Sequence, residues 1–254
     1  MSKLTVIKAG TGVLTKVSDG TLDGSSLTRL VAAVAGVVEK GHRVLLVSSG
    51  AVGAGVSAFG LDGYPADLET RQACAAVGQA RLMHLYEALF KNFDLSVAQV
   101  LLTGDDLATE ERSALVKGML DRLISKEGVL PIINENDSVA IEELRVGDND
   151  MLSANVARLV GAERLVLLTS VDGLLSPDGG ELVAEVERVE DVMDFAKDEQ
   201  GRFSIGGMAS KLKAVKLAVE SGIETHIANG RHPERLAAIL EGEEAVSTRF
   251  TVSG

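Results

Sequence analysis

Two lysines near opposite ends of the chain stand beside glycines: Lys8 just before Gly10 and Gly12, and Lys211 one helical turn after Gly206 and Gly207. Glycines let backbone N–H groups approach a ligand closely and form an anion-binding nest. A lysine beside such a nest places a full positive charge where a phosphate could lie. Between them runs PIINENDSVAIEELRVGDND, from Pro131 to Asp150, with six carboxylates (Glu135, Asp137, Glu142, Glu143, Asp148, Asp150), the single cation Arg145 and three asparagines (Asn134, Asn136, Asn149). Each feature has an ordinary reading by itself: a lysine closing a strand, a capped helix with an exposed surface lysine, a solvated acidic loop. Together they suit phosphoryl transfer, in which positioning and charge neutralisation dominate. If the acceptor is a carboxylate, no general base is needed, because its unperturbed pKa is about 4. The difficulty is repulsion between two anions, about 4 kcal/mol at 4 Å and an effective dielectric of 20. Two lysines can offset that.

The elements that would position these residues alternate between strand-like and helix-like patterns. Strand-like runs are Leu4 to Ile7, Arg43 to Val47, Val97 to Leu102, Val129 to Ile133, Arg164 to Leu168 and Ile223 to Ala228. Helical spacing marks Ser25, as N-cap, to Lys40 with Gly41 as its stop, then Leu68 to Phe90, Glu110 to Ile124, Met151 to Val160, Val189 to Ala196, Gly206 to Ser221 and Pro233 to Leu240. Thr169 to Gly180 carries turn signals. The alternation predicts an α/β fold: a three-layer αβα sandwich around a mainly parallel sheet. NEND, at residues 134–137, then falls at a strand's carboxyl end, where open α/β sheets place their ligands. No Pro-, Gly- or Ser-rich linker divides the chain, so a single domain over 1–254 is expected.

Composition narrows the function classes. The chain has 254 residues, 46% of them hydrophobic and only 3% aromatic, so an aliphatic core is expected. A net charge of -12 argues against a nucleic-acid or anionic-membrane surface, while leaving room for a local basic pocket. Cys74, the single cysteine, cannot form an internal disulfide and lies in an apolar helical pattern, which predicts a buried thiol and fits a reducing compartment. No apolar run is long enough to span a membrane and no export signal is visible, so a cytoplasmic protein is expected. His42, His84, His226 and His232 have no metal-ligand spacing, and no metal-ligating residues are expected.

Gly53-x-Gly55-x-x-Ala58, after Ser49-Gly50, fits the dinucleotide fingerprint. It follows the second strand rather than the first, and the position about twenty residues on, where an acid should close a strand, falls inside a helical pattern. The better reading is a helix N-terminus that attracts a carboxylate or phosphate. The chain contains no Walker A sequence.

KAGTGVL from Lys8, SSGAVGAG from Ser48, INENDSVA from Ile133, VGDND from Val146 and GGMASK from Gly206 occur in the order seen in glutamate 5-kinases. Over essentially its whole length the chain resembles that branch of the amino-acid kinase family, NEND followed by VGDND being the specific part. The resemblance implies the αβα fold, with an acceptor-binding lobe over roughly 1–160 and a nucleotide-binding lobe over roughly 161–254. It further implies a phosphotransferase with a carboxyl acceptor: ATP-dependent phosphorylation of the γ-carboxylate of L-glutamate, the first step of L-proline biosynthesis.

The resemblance assigns Lys8 and Lys211 to the transferring phosphoryl group and Asp150 to orienting them. Ser49, Asp137 and Asn149 would hold glutamate, with Asp137 and Asn149 suited to its ammonium group. Lys8, Thr169, Ser170, Ile205, Gly206, Gly207, Met208, Ala209, Ser210 and Lys211 would face the nucleotide, with Mg2+ carried by ATP. Ser170, Ile205 and Leu175 depart from the family pattern, which commonly has aspartate, threonine and tyrosine there. Many bacterial members carry a C-terminal RNA-binding-type PUA domain; this chain ends at Gly254, and that domain's roles are not carried over. The family also implies a homodimer or homotetramer, feedback inhibition by L-proline and hand-off of the product to glutamyl phosphate reductase. Alternatives are a kinase of another small carboxylate, a nicotinamide-binding oxidoreductase resting on residues 53–58, and a silent amino-acid sensor that keeps the fold without turnover.

Overall fold

The structure is a computed structural model that describes residues 3–140, 149–177, 180–196 and 207–252. Its strands are β1 (Leu4–Ala9), β2 (Arg43–Val47), β3 (Ser96–Leu102), β4 (Val129–Glu135), β5 (Arg164–Thr169), β6 (Glu185–Val186), β7 (Glu224–Asn229) and β8 (Ser247–Phe250). They form an eight-stranded sheet in the order β3-β4-β2-β1-β5-β7-β8-β6. From β3 across to β7 every pairing is parallel; β8 runs antiparallel to β7, and β6 parallel to β8.

Successive side chains of a strand point to opposite faces, and the central strands supply both cores in this way. Val6 and Leu45 enter one apolar cluster, Ile7 and Leu46 the other. The first is covered by α6 (Glu110–Ile124), α7 (Asn149–Val160) and α8 (Met208–Glu220), through Leu120, Leu152, Val156, Leu212 and Val215. The second is covered by α2 (Gly24–Glu39), α4 (Leu68–Phe90) and α9 (Leu236–Glu241), through Leu27, Leu30, Leu82, Tyr86 and Leu236. The expected three-layer αβα arrangement is therefore the observed one. Strand β1 lies at its centre, with β2 on one side and β5 on the other. The crevice at such a reversal of strand order, beyond the carboxyl ends, is where ligands bind in open α/β sheets.

Local details differ from the sequence expectations. Helix α2 is capped by Asp23, not Ser25: its carboxylate accepts from the backbone N–H groups of Ser25 at 3.0 Å and Ser26 at 3.4 Å. It also accepts both serine hydroxyls, and hydrogen bonds from Ser25 and then Ser26 draw its pKa down to about 2. A carboxylate satisfies more orphan donors at a helix start than a hydroxyl does, and it complements the helix dipole. Pro233 to Leu240 is not one helix but a 3-10 turn, Pro233–Arg235, leading into α9. Val189–Ala196 is likewise a 3-10 helix.

The fingerprint-like glycines have a packing role. A Cβ on Gly55 would sit 2.0 Å from the Cys74 carbonyl oxygen, and one on Gly78 would sit 1.8 Å from that of Ala51. Glycine at both positions lets the short helix α3 (Ala51–Val56) lie directly against α4, with Cys74 fully buried between them. Gly50, which caps α3, has φ of 92°, a left-handed conformation that glycine adopts without strain.

Candidate active site

Lys8 is the fifth residue of β1, at its carboxyl end, and its side chain is buried. The turn beyond it is pinned where Gly10 N–H donates to the Leu168 carbonyl of β5 at 3.1 Å, after which α1 (Thr11–Leu14) begins. From the neighbouring layer, α7 brings Asp150 in its first turn, at 0% exposure. Helix α8 contributes Lys211 from its own first turn, one turn after its N-cap Gly207. The three meet. Lys8 Nζ lies 2.5 Å from Asp150 Oδ1, and Lys211 Nζ lies 3.0 Å from Asp150 Oδ2. Burial by itself would raise the Asp150 pKa, but the ammonium groups of Lys8 and Lys211 outweigh it and hold the carboxyl at about 2. Asp150 is thus ionised, and the trio carries a net charge of +1 inside a protein of charge -12.

The expectation that Lys211 is an exposed surface lysine is wrong. It is 8% exposed, because α8 packs against α7 and its amine is held by the buried Asp150 carboxylate.

One residue earlier on α7, Asn149 belongs to a different set of contacts. Its Nδ2 donates toward the Ser48 carbonyl at 2.9 Å, Ser49 Oγ at 2.9 Å and Asn134 Oδ1 at 3.0 Å. Asn134 in turn donates to Gln79 Oε1 of α4 at 2.8 Å, and Ser48 Oγ hydrogen-bonds the buried Tyr86 hydroxyl at 2.9 Å. Asn149 Oδ1 is buried and has no hydrogen-bond partner among the described residues. Beyond β4, Asn136 closes a turn: its Oδ1 accepts from Ser138 Oγ at 2.6 Å, and its carbonyl accepts from Val139 and Ala140. That turn places Asp137 on a cavity of about 270 Å³, shared with Ala51, Ala75, Gln79 and Glu135.

A second cavity, of about 300 Å³, is lined by His42, Arg43, Leu95, Val129 and Leu130. It lies at the amino ends of β2, β3 and β4, opposite the carboxyl ends that bear Lys8 and Asp137. Of these two, the smaller lies toward the carboxyl ends of the strands.

Of the residues expected on the nucleotide side, Thr169 and Ser170 lie at the carboxyl end of β5. Thr169 ends that strand, and its carbonyl accepts from Gly230 N–H at 2.8 Å. Ser170 follows, close to Gly12, where a Cβ would approach Ser170 Cβ at 3.8 Å. The next loop is tied to β8, where Leu174 N–H donates to Thr248 Oγ1 at 2.8 Å. Asp172, among these loop residues, accepts from Arg235 at 2.7 Å and Asn229 at 3.2 Å. Met208, Ala209 and Ser210 form the start of α8 beside Lys211. Ile205 and Gly206 lie outside the described residues, as do Glu142, Glu143, Arg145 and Asp148.

Among the described residues, no three His, Cys, Asp or Glu side chains are grouped to hold a metal. Both oxygens of Asp150 are already taken by ammonium groups. That donor set fits a divalent cation held mainly by phosphate and water oxygens, as magnesium prefers.

The family model for the amino acid kinase family matches residues 3–229. The chain belongs to the amino acid kinase family. Among curated relatives, it is 41% identical over 256 residues to the glutamate 5-kinase of Nostoc punctiforme, covering 98% of this chain and 69% of that one. It is 43% identical over 257 residues to the glutamate 5-kinase of Symbiobacterium thermophilum, covering 99% of this chain and 97% of the relative. Among solved structures, carbamate kinase from Giardia lamblia bound to AMP-PNP matches with a TM-score of 0.68 at 15% identity, over 98% of this chain and 99% of that one. Isopentenyl phosphate kinase from T. acidophilum, a product complex, matches with a TM-score of 0.65 at 19% identity, over 97% of this chain and 99% of the other. These two likenesses establish the amino acid kinase fold.

Sequence reasoning named Lys8, Ser49, Asn149, Asp150 and Lys211, and the fold brings them into two adjoining clusters. It missed Ser48, Gln79 and Tyr86 as parts of the polar network. Gln79 and Tyr86 sit in a long helical pattern, and nothing local distinguishes them from helix filling. Only the contact between α4 and β4, 55 residues apart at Gln79 and Asn134, reveals them.

Proposed function

We propose that this amino acid kinase is a glutamate 5-kinase, transferring the γ-phosphoryl group of ATP to the γ-carboxylate of L-glutamate. The observation that carries the reading is the buried Lys8–Asp150–Lys211 bridge, two cations held on one ionised carboxylate at the carboxyl end of the sheet. Relatives at about two-fifths identity that bear the name glutamate 5-kinase support the substrate. A carboxylate oxygen of glutamate forms the new bond to γ-phosphorus as the bond from phosphorus to the β–γ bridging oxygen breaks. The electron pair leaves with ADP, and no proton moves.

In this reading Lys8 and Lys211 neutralise the phosphoryl oxygens, and Asp150 keeps both amines aimed at them. Ser49, Asp137 and Asn149 hold glutamate, the last two through its ammonium group. Thr169, Ser170 and the turn 205–211 face the nucleotide. Magnesium bound to the phosphates would add charge neutralisation on the leaving side. Residues before 161 then form the acceptor lobe and those after it the nucleotide lobe.

An ADP-release assay with MgATP and a panel of L-glutamate, N-acetylglutamate and L-aspartate tests the reaction, with hydroxylamine trapping the acyl phosphate. Turnover with another acid but not with glutamate would remove the substrate and keep the kinase. Feedback by L-proline, assembly into homodimers or homotetramers, a cytoplasmic setting and hand-off to glutamyl phosphate reductase belong to the same reading. Among the described residues no helix is long and apolar enough to cross a membrane. Proline should compete with glutamate near residues 134–150, and calorimetry that finds both bound together without mutual weakening would contradict this.

A further inference from the structure

The amide chain from α4 to α7 has a direction. A primary amide donates from nitrogen and accepts at oxygen, so turning it over exchanges the two. Asn149 directs Nδ2 at three oxygens, of Ser48, Ser49 and Asn134. This leaves its Oδ1 on the opposite side, buried and without a partner among the described residues. Buried polar atoms are rarely left this way unless a ligand completes them, and an ammonium group is the donor that would do so.

Asn134 and the Ser48 carbonyl together decide which way Asn149 faces. Asn134 offers Oδ1 to Asn149 because its own Nδ2 is engaged by Gln79 Oε1 at 2.8 Å. A flipped Asn134 would set its NH2 against the NH2 of Asn149. The Ser48 carbonyl would still hold that NH2, so the clash would push the Asn149 amide out of place and draw its Oδ1 away from the incoming ammonium. Gln79 reaches Asn134 because its neighbour Gly78 lets α4 close onto α3, the Ala51 carbonyl occupying the space a Cβ would need. Gln79 also lines the cavity that holds Asp137.

We propose that Gln79 is a positioning residue for the amino-acid acceptor. It fixes the direction of the Asn134 amide, which with the Ser48 carbonyl holds the Asn149 amide in place, so that Asn149 Oδ1 is offered to the α-ammonium group. The inference rests on the reading that the acceptor is an amino acid.

The test compares Gln79→Met, which keeps side-chain length but loses the amide acceptor, with Gln79→Glu, which keeps an acceptor. Loss of a buried hydrogen bond that orients a polar group predicts a KM for L-glutamate about tenfold higher in Gln79→Met, with kcat within about threefold and the KM for ATP within about twofold. Gln79→Glu should return the glutamate KM to within about threefold of wild type. A merely structural role would lower the melting temperature and shift both substrates together, with no rescue by glutamate.

The proposal is overturned by an unchanged glutamate KM in Gln79→Met, by a parallel rise in the KM for ATP, or by equal impairment in Gln79→Glu. Should Gln79→Met fail to fold, Gln79→Glu decides alone, because a raised glutamate KM in that variant is the overturning result. Calorimetric binding of L-glutamate without nucleotide separates this inference from the reaction. Wild type that binds glutamate without turning it over removes the kinase reading and leaves this one. Equal affinity in wild type and Gln79→Met, or no binding by wild type, removes this one.

Discussion

Asp150→Asn is the most informative single perturbation of the lysine bridge. The change keeps the side chain's shape and removes its charge, leaving Lys8 and Lys211 as two buried ammonium groups without their shared counter-ion. Removing one partner of a buried ion pair costs about 3–5 kcal/mol. The electrostatics of Asp150 point the same way. Its pKa falls from 3.8 to about 2 despite burial, and at about 1.4 kcal/mol per unit this is about 2 kcal/mol of stabilisation by the two lysines. A loss of about 2–4 kcal/mol near neutral pH is therefore expected, together with loss of turnover. The sign with pH follows from the depressed folded pKa. The contribution is complete above the unfolded value, and it is lost as pH falls through the folded value, over a window of about pH 5 to 2. The stability gap between wild type and Asp150→Asn should thus be widest near neutrality and narrow by about 1 kcal/mol near pH 3. Urea unfolding followed by circular dichroism across that range measures both quantities. A variant within about 0.5 kcal/mol of wild type at neutral pH, or a gap that does not change with pH, would refute the reasoning.

Lys211→Ala should abolish turnover and also lower stability, by about 1–3 kcal/mol, because it strips one of two cations from a buried carboxylate. Urea titration beside the ADP-release assay checks this, and unchanged stability would place the lysine in solvent instead. Gly78→Ala should destabilise by about 3 kcal/mol or give no soluble protein, since the clashing atom 1.8 Å away is backbone and cannot turn aside; thermal melting measures it. Asn149→Ala should raise the KM for L-glutamate about tenfold or more while leaving the KM for ATP near wild type, in steady-state kinetics with each substrate varied.

The fold was legible because its signals are local and repeated. Apolar runs such as Arg43 to Val47 and Arg164 to Leu168 alternate with helical spacing, and this is enough to specify a parallel sheet between helical layers. The lysines were legible for a similar reason, each being marked by adjacent glycines. What was not legible depends on contacts between distant segments. Lys211 reads as a surface lysine until α7 brings Asp150 beneath it. Gly53 and Gly55 fit a dinucleotide fingerprint until the Gly20 and Cys74 carbonyls are seen in the space their Cβ atoms would fill. Ser25 lost the capping position to Asp23 because an anion with two oxygens can satisfy two N–H groups and two hydroxyls at once.

The same long-range contacts let one helix start join two different clusters. Asn149 and Asp150 are adjacent, yet successive helix residues point about 100° apart. One side chain joins an uncharged network reaching Ser49, Asn134 and Gln79, and the other joins the two lysines. The network has a buried oxygen, Asn149 Oδ1, without a partner among the described residues, and the trio holds two amines on one carboxylate. A buried ion cluster adds little to stability by itself, since desolvation offsets much of the Coulomb attraction. Two amines held on one buried carboxylate make better sense as groups kept in place for phosphoryl oxygens, as the proposed reaction requires. Under that proposal the first turn of α7, which carries both Asn149 and Asp150, sets the spacing between the acceptor's ammonium group and the phosphate.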